Sequence, residues 1–132
     1  MDLNEIVKST SAQDAGSEFE LLDPVRGEPT GIKLTVAGPD SEIQRKARFE
    51  MEKEIGRQSS RRGGLTPEVR EQIMDEFFAS VVLGWNAKEN GKPVPFSKEA
   101  FLRLLKAGTW VRGQVDIFAG DRGPYFKSKG AA

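Results

Sequence analysis

The chain has 132 residues, enough for one domain with a single core and too few for two. Twenty Lys and Arg balance twenty Asp and Glu, so the chain as a whole exerts no general pull on nucleic acid or an anionic membrane. The absence of cysteine and histidine excludes disulfides, thiolate nucleophiles, imidazole acid–base chemistry and the commonest zinc sites.

The balanced charge is unevenly spread. Residues 1–83 carry 11 basic and 16 acidic side chains and residues 84–132 carry 9 and 4, so the two regions stand at −5 and +5. Copies with opposite charges at their two ends can meet head to tail, although solvated charged faces give the same count. No basic segment followed by an apolar run opens the chain, and nowhere do 18 apolar residues follow one another. A soluble cytoplasmic protein without membrane contact is expected.

Residues 1–17 end in the small, polar run Ser9–Ser17, and only Leu3, Ile6 and Val7 offer an apolar face. This predicts a flexible arm, helical at its start. Phe19 and Leu21 alternate with acids, and Ile32, Leu34 and Val36 alternate with polar residues, across a loop holding Pro24, Gly27, Pro29 and Gly31. Period two with those breakers predicts a β-hairpin over 18–38, which a helix must cover or a further strand extend. A helix over 39–56 follows, with Ser41 as cap, Gln44 closing a capping box, and Ile43, Ala47, Met51 and Ile55 as its apolar stripe.

Residues 57–66 read as a flexible linker with paired glycines. Thr66-Pro67-Glu68 then opens a helix with two adjacent apolar rows, Ile73/Phe77/Val81 and Met74/Phe78/Val82, ended by Gly84 as a left-handed cap. Asn90-Gly91 predicts a tight turn. Ser97 caps a third helix, stapled by Phe96 and Phe101, which Gly108 stops. A fourth runs from Thr109 to Ala119, with Val111, Val115, Phe118 and Ala119 on one face and Trp110 and Ile117 on another. The sum is an α+β fold, mainly α, with a small N-terminal β-hairpin and about four helices. The helical part spans 67–126, a single domain 18–126, and a flexible tail 127–132.

No constellation points to catalysis, a cofactor or a metal. Glu50, Glu52, Glu54, Glu68, Glu71, Asp75 and Glu76 read as solvated helix surface, and Asp116 or Asp121 with Arg122 as a structural ion pair. Gly91-Lys92-Pro93 cannot cradle phosphate, because proline removes an amide the loop would need. Arg57, Arg61 and Arg62 are the best nucleic-acid candidates, yet they lack interleaved aromatics or a recognition helix. Aromatic surface remains. Phe96 and Phe118 are expected in the core, and Trp85, Trp110, Tyr125 and Phe126 are the candidate partner-binding residues.

The order of "VVLGWN" at 81–86, "GKPVPFSKEAFLRLL" at 91–105 and "VDIFAGDRGPYF" at 115–126 resembles the tail assembly chaperones of long, non-contractile-tailed bacteriophages. The segment at 19–50, a hairpin leading into a charged helix, is similar to that family too. The resemblance implies a non-catalytic assembly factor of the host cytoplasm, absent from the mature virion. It would coat the tape-measure protein and help recruit major tail-tube subunits, as a homo-oligomer, with a longer form made by ribosomal frameshifting. The tail Lys127–Ala132 would suit the end of the short form. The readings from other classes are a minor tail or head–tail joining protein, and a small nucleic-acid-binding regulator.

Overall fold

A computed structural model describes residues 1–126; the tail expected at 127–132 lies outside the described residues. Five α-helices and two antiparallel sheets appear among them, an α+β arrangement with one helix more than expected.

The extra helix is α1, Leu3–Ala15, where the sequence suggested an arm helical only at its start. Its first turn is closed by a capping box. Asp2 accepts the Glu5 amide at 3.1 Å, and Glu5 reaches back to the Asp2 amide at 2.8 Å. Its buried residues are polar, Ser9 and Gln13. Gln13 is fully buried: its Nε2 donates to Ser9 and Asp40, its Oε1 accepts the Asp40 amide at 2.6 Å, and its carbonyl accepts the Gly38 amide at 2.9 Å. Long-range polar contacts thus dock the helix, while the apolar face of Leu3, Ile6 and Val7 stays exposed. Gly16 then turns the chain with φ +83°, where a Cβ would stand 2.9 Å from the Val36 carbonyl oxygen.

Strands β1, Ser17–Leu22, and β2, Pro29–Val36, form the expected hairpin, with Phe19 opposite Leu34 and Glu20 opposite Lys33. Leu21, Leu34 and Val36 are buried, as their alternation requires. Asp23 fastens the connecting turn by accepting the amides of Arg26 and Val25, which hold its carboxyl below the usual range.

Helix α2 spans Glu42–Ser59, three residues past the expected end. Gly56 does not stop it, because ring-closing contacts continue around it. Gln58 donates to Glu54, Arg57 pairs with Glu54, and Ser59 bonds back to the Ile55 carbonyl. The connection to the next helix is correspondingly shorter than 57–66. Ser41 caps α2 by accepting the Gln44 amide at 3.0 Å. Gln44 does not complete the box. Its buried amide instead donates to the carbonyls of Ala37, 2.8 Å, and Ala119, 2.7 Å, bracing the end of the sheet against the end of the last helix.

Helix α3, Pro67–Val81, begins at Thr66 with proline in its first turn, as expected. Its end differs. Val82 turns the chain into β3, Val82–Trp85, which pairs with β2 through Thr35–Gly84 and Leu34–Trp85. Gly84 is therefore a strand residue and not a left-handed cap, and the sheet order is β1-β2-β3. A strand extends the hairpin and helices cover it, so both remedies for its apolar face are used.

Lys88–Glu89 (β4) and Lys92–Pro93 (β5) form a miniature hairpin around Asn90-Gly91, with φ +53° and +77°, the paired positive values of a two-residue hairpin turn. Helix α4, Lys98–Ala107, is capped by Ser97 and ended at Gly108; α5, Trp110–Ala119, is ended at Gly120. A 3-10 turn, Gly123–Tyr125, follows. Phe101, Leu105, Val111 and Val115 are fully buried against Phe78, Val81 and the sheet, each worth about 1.5–3 kcal/mol of burial. Phe118 stacks on Phe19 with centroids 4.4 Å apart, laying α5 across β1. Gln114 holds the strand's end, accepting the Leu22 amide at 2.9 Å and donating to its carbonyl at 2.8 Å.

Candidate functional site

The aromatic residues proposed for partner binding do not form one surface. Trp85 is half-buried and turned inward on its own loop. Its indole N–H donates to the Val94 carbonyl at 2.8 Å, and its ring meets Phe96 edge-on at 5.4 Å and Phe101 at 6.4 Å. One side of the ring lines a hollow of about 180 Å³ beside Ile32 and Leu104. Tyr125 is half-buried and donates its hydroxyl to the Val36 carbonyl at 3.3 Å, tying the last turn to β2. Trp110 and Phe126 are the exposed members, 38% and 39% accessible. Ile117, two turns beyond Trp110 on α5, is 77% accessible, so the outward face expected for that helix is present.

Two ion pairs differ from expectation. Arg122 pairs with Asp40, Nε–Oδ2 2.7 Å and Nη2–Oδ1 2.8 Å, and not with Asp116 or Asp121. Asp121 is occupied locally by the Gly123 amide at 2.8 Å. The Arg122 guanidinium holds the Asp40 carboxyl below its usual range, and Asp40 raises Arg122 in turn. Asp75, read as solvated surface, is only 6% exposed and is gripped bidentately by Arg112, Nε–Oδ1 2.6 Å and Nη2–Oδ2 2.8 Å. Glu71 stands 2.8 Å from the same guanidinium. The Asp75 hydrogen bonds push Arg112 up from its ordinary value. This pair joins α3 to α5; Asp75 lies one turn from Glu71, but nothing local in the sequence signals Arg112, 37 residues away.

An open groove of about 610 Å³ is formed by α2, α3 and α4. Helix α3 packs against both α2 and α4 and supplies the floor with Ile73 and Phe77. Along α2 run Ala47 and Met51, then the outer row Glu50–Glu54. Along α4 runs Lys98–Leu102–Lys106. Each row repeats every fourth residue, which places its members on one line along the helix. The groove therefore has apolar side chains from all three helices at its base, acids along α2 and lysines along α4, with Gln72, Asp75, Glu76 and Ser80 of α3 also lining it. Lys98 is bonded to Glu76 at 2.7 Å, Glu50 to Lys53 at 3.5 Å, and Glu54 to Arg57, whereas Lys106 has no ion pair among the described residues. The sequence marks Ala47 and Met51 as part of an apolar stripe and Glu50 and Glu54 as solvated surface, and gives no sign of the Lys98–Leu102–Lys106 row or of the groove.

The described residues hold no group of three acidic, histidine or cysteine side chains placed for a metal, and no helix among them is long and apolar enough to cross a membrane. Of the three arginines considered for nucleic acid, Arg57 is engaged by Glu54, leaving Arg61 and Arg62. Compared with protein families, curated proteins and solved structures, the chain has no match.

Proposed function

We propose that this protein is a tail assembly chaperone of a long, non-contractile-tailed bacteriophage. It binds the tape-measure protein in the host cytoplasm, helps recruit tail-tube subunits through a frameshifted longer form, self-associates, and leaves before the virion is complete. The observation that carries the reading is how the three resembling segments pack. "VVLGWN" becomes the strand that closes the sheet, "GKPVPFS" folds under its tryptophan, and "GDRGPYF" returns to the same strand pair through Tyr125. Their shared order and spacing therefore belong to one structural unit.

The division of surfaces also suits an assembly factor. A tape-measure protein exposes long apolar helices before the tube encloses it, and a helper must cover them and then let go. Mass spectrometry of purified particles tests the reading: the protein should be missing while tape-measure and tube proteins are present. Stoichiometric recovery in the particle would make it a minor tail or joining protein instead.

A further inference from the structure

We propose that the groove between α2 and α4 is a docking site for an amphipathic helix of a partner protein, one with cations on one flank and acids on the other. Ala47, Met51, Ile73, Phe77 and Leu102 form an apolar strip in an open groove, bordered on α3 by Asp75 and by Glu76, which holds Lys98, and such a strip between two helical walls is the form into which a helix lays its apolar stripe. Length agrees: Lys98 to Lys106 is eight residues, about 12 Å at 1.5 Å per residue, room for two turns of a guest helix.

Charge selects the occupant. The α2 wall presents Glu50 and Glu54, and the α4 wall presents Lys98 and Lys106. A guest with Lys or Arg toward α2 and Asp or Glu toward α4 meets complementary charge on both sides. Reversing its direction would exchange its flanks and set like charges together. The two-signed walls thus fix the direction of the guest as well as its type. The present rim pairs are mostly exposed contacts within one helix, Glu50–Lys53 and Glu54–Arg57, which cost little to exchange.

The chaperone reading enters only in naming the guest as a segment of the tape-measure protein; the groove argument stands without it. The test uses two fluorescent helical peptides of about 18 residues with the same leucine stripe. One has lysines on one flank and glutamates on the other, and the second has glutamates on both. In anisotropy titrations at low salt the first should bind at least about tenfold more tightly, and the gap should narrow as salt rises. Glu50→Lys with Glu54→Lys should invert the preference, and Met51→Lys should abolish binding of both peptides while circular dichroism remains native. Equal binding of the two peptides, or a preference unchanged by the double reversal, overturns the proposal. So does a concentration-dependent dimer that Met51→Lys abolishes, since a second copy would then be the occupant. If Met51→Lys binds neither peptide yet keeps the tape measure soluble, the chaperone reading survives and the naming of the tape measure as the groove's guest falls. If wild type binds the first peptide but leaves the tape measure insoluble, the reverse holds.

Discussion

Replacing Asp75 by alanine tests the internal architecture most sharply. The carboxylate is 6% exposed and takes two hydrogen bonds from Arg112, so its removal strands a guanidinium that is itself only one-fifth exposed. Breaking a buried pair from one side costs about 3–5 kcal/mol, mostly from the charge left behind. Here Arg112 keeps Glu71 at 2.8 Å and some water, which brings the expected loss to about 2–3 kcal/mol. For a domain of this size that is a fall in Tm of roughly 6–15 °C. Urea denaturation gives the free energy, and a cycle with Arg112→Ala gives the coupling, expected at about 1–3 kcal/mol in favour of the intact pair. A loss below about 0.5 kcal/mol, or strict additivity of the two substitutions, would refute the claim that this pair pins α5 to α3.

Three other outcomes are expected. Trp85→Ala should cost about 3 kcal/mol, since it empties the space against Phe96 and Phe101, and Trp85→Phe about 1 kcal/mol for the bond to Val94; urea midpoints near wild type would return Trp85 to the role of a partner anchor. Gly38→Ala should shift α1, because the new Cβ would fall 2.5 Å from the Gln13 side chain; hydrogen exchange should speed up at the α1 amides while α3 stays protected, and unchanged α1 protection would contradict this. Asp40 has a lowered folded pKa, so its pair with Arg122 adds stability above the unfolded value near pH 4 and loses it as pH falls through the folded value. The advantage of wild type over Asp40→Asn should therefore be present at pH 7 and shrink as acid protonates the carboxylate, and a pH-independent difference would exclude the linkage.

What the sequence made legible was whatever is decided locally. The hairpin, the Ser41, Thr66 and Ser97 caps, the Asn90-Gly91 turn and the two faces of α5 all depend on neighbours within about one or two turns. The departures have distant causes. Gly84 resembles a helix stop, but the unpaired edge of β2 recruits residues 82–85 as a strand. The run Ser9–Ser17 looks unstructured because its partners, Gly38 and Asp40, lie some 25 residues away. Gln44 fits a capping box by spacing, yet the Ser41 amide that the box would satisfy already donates to the Gly38 carbonyl, and the Gln44 side chain is drawn to the Ala119 carbonyl, 75 residues on. The groove belongs with these. Glu50 and Glu54 read as solvated surface of α2, while their facing Lys98 and Lys106 across Phe77 is a product of helix packing. Trp85 and Tyr125, expected at a partner surface, bond instead to the carbonyls of Val94 and Val36 within the chain.

The account rests finally on a chaperone's effect on its client. Co-expression of this chain with a tape-measure protein of a long-tailed phage, followed by centrifugation and size exclusion, measures that directly. The account predicts that the tape measure moves from the pellet into a soluble complex containing this chain. A tape measure that stays insoluble, or is equally soluble alone, would contradict it.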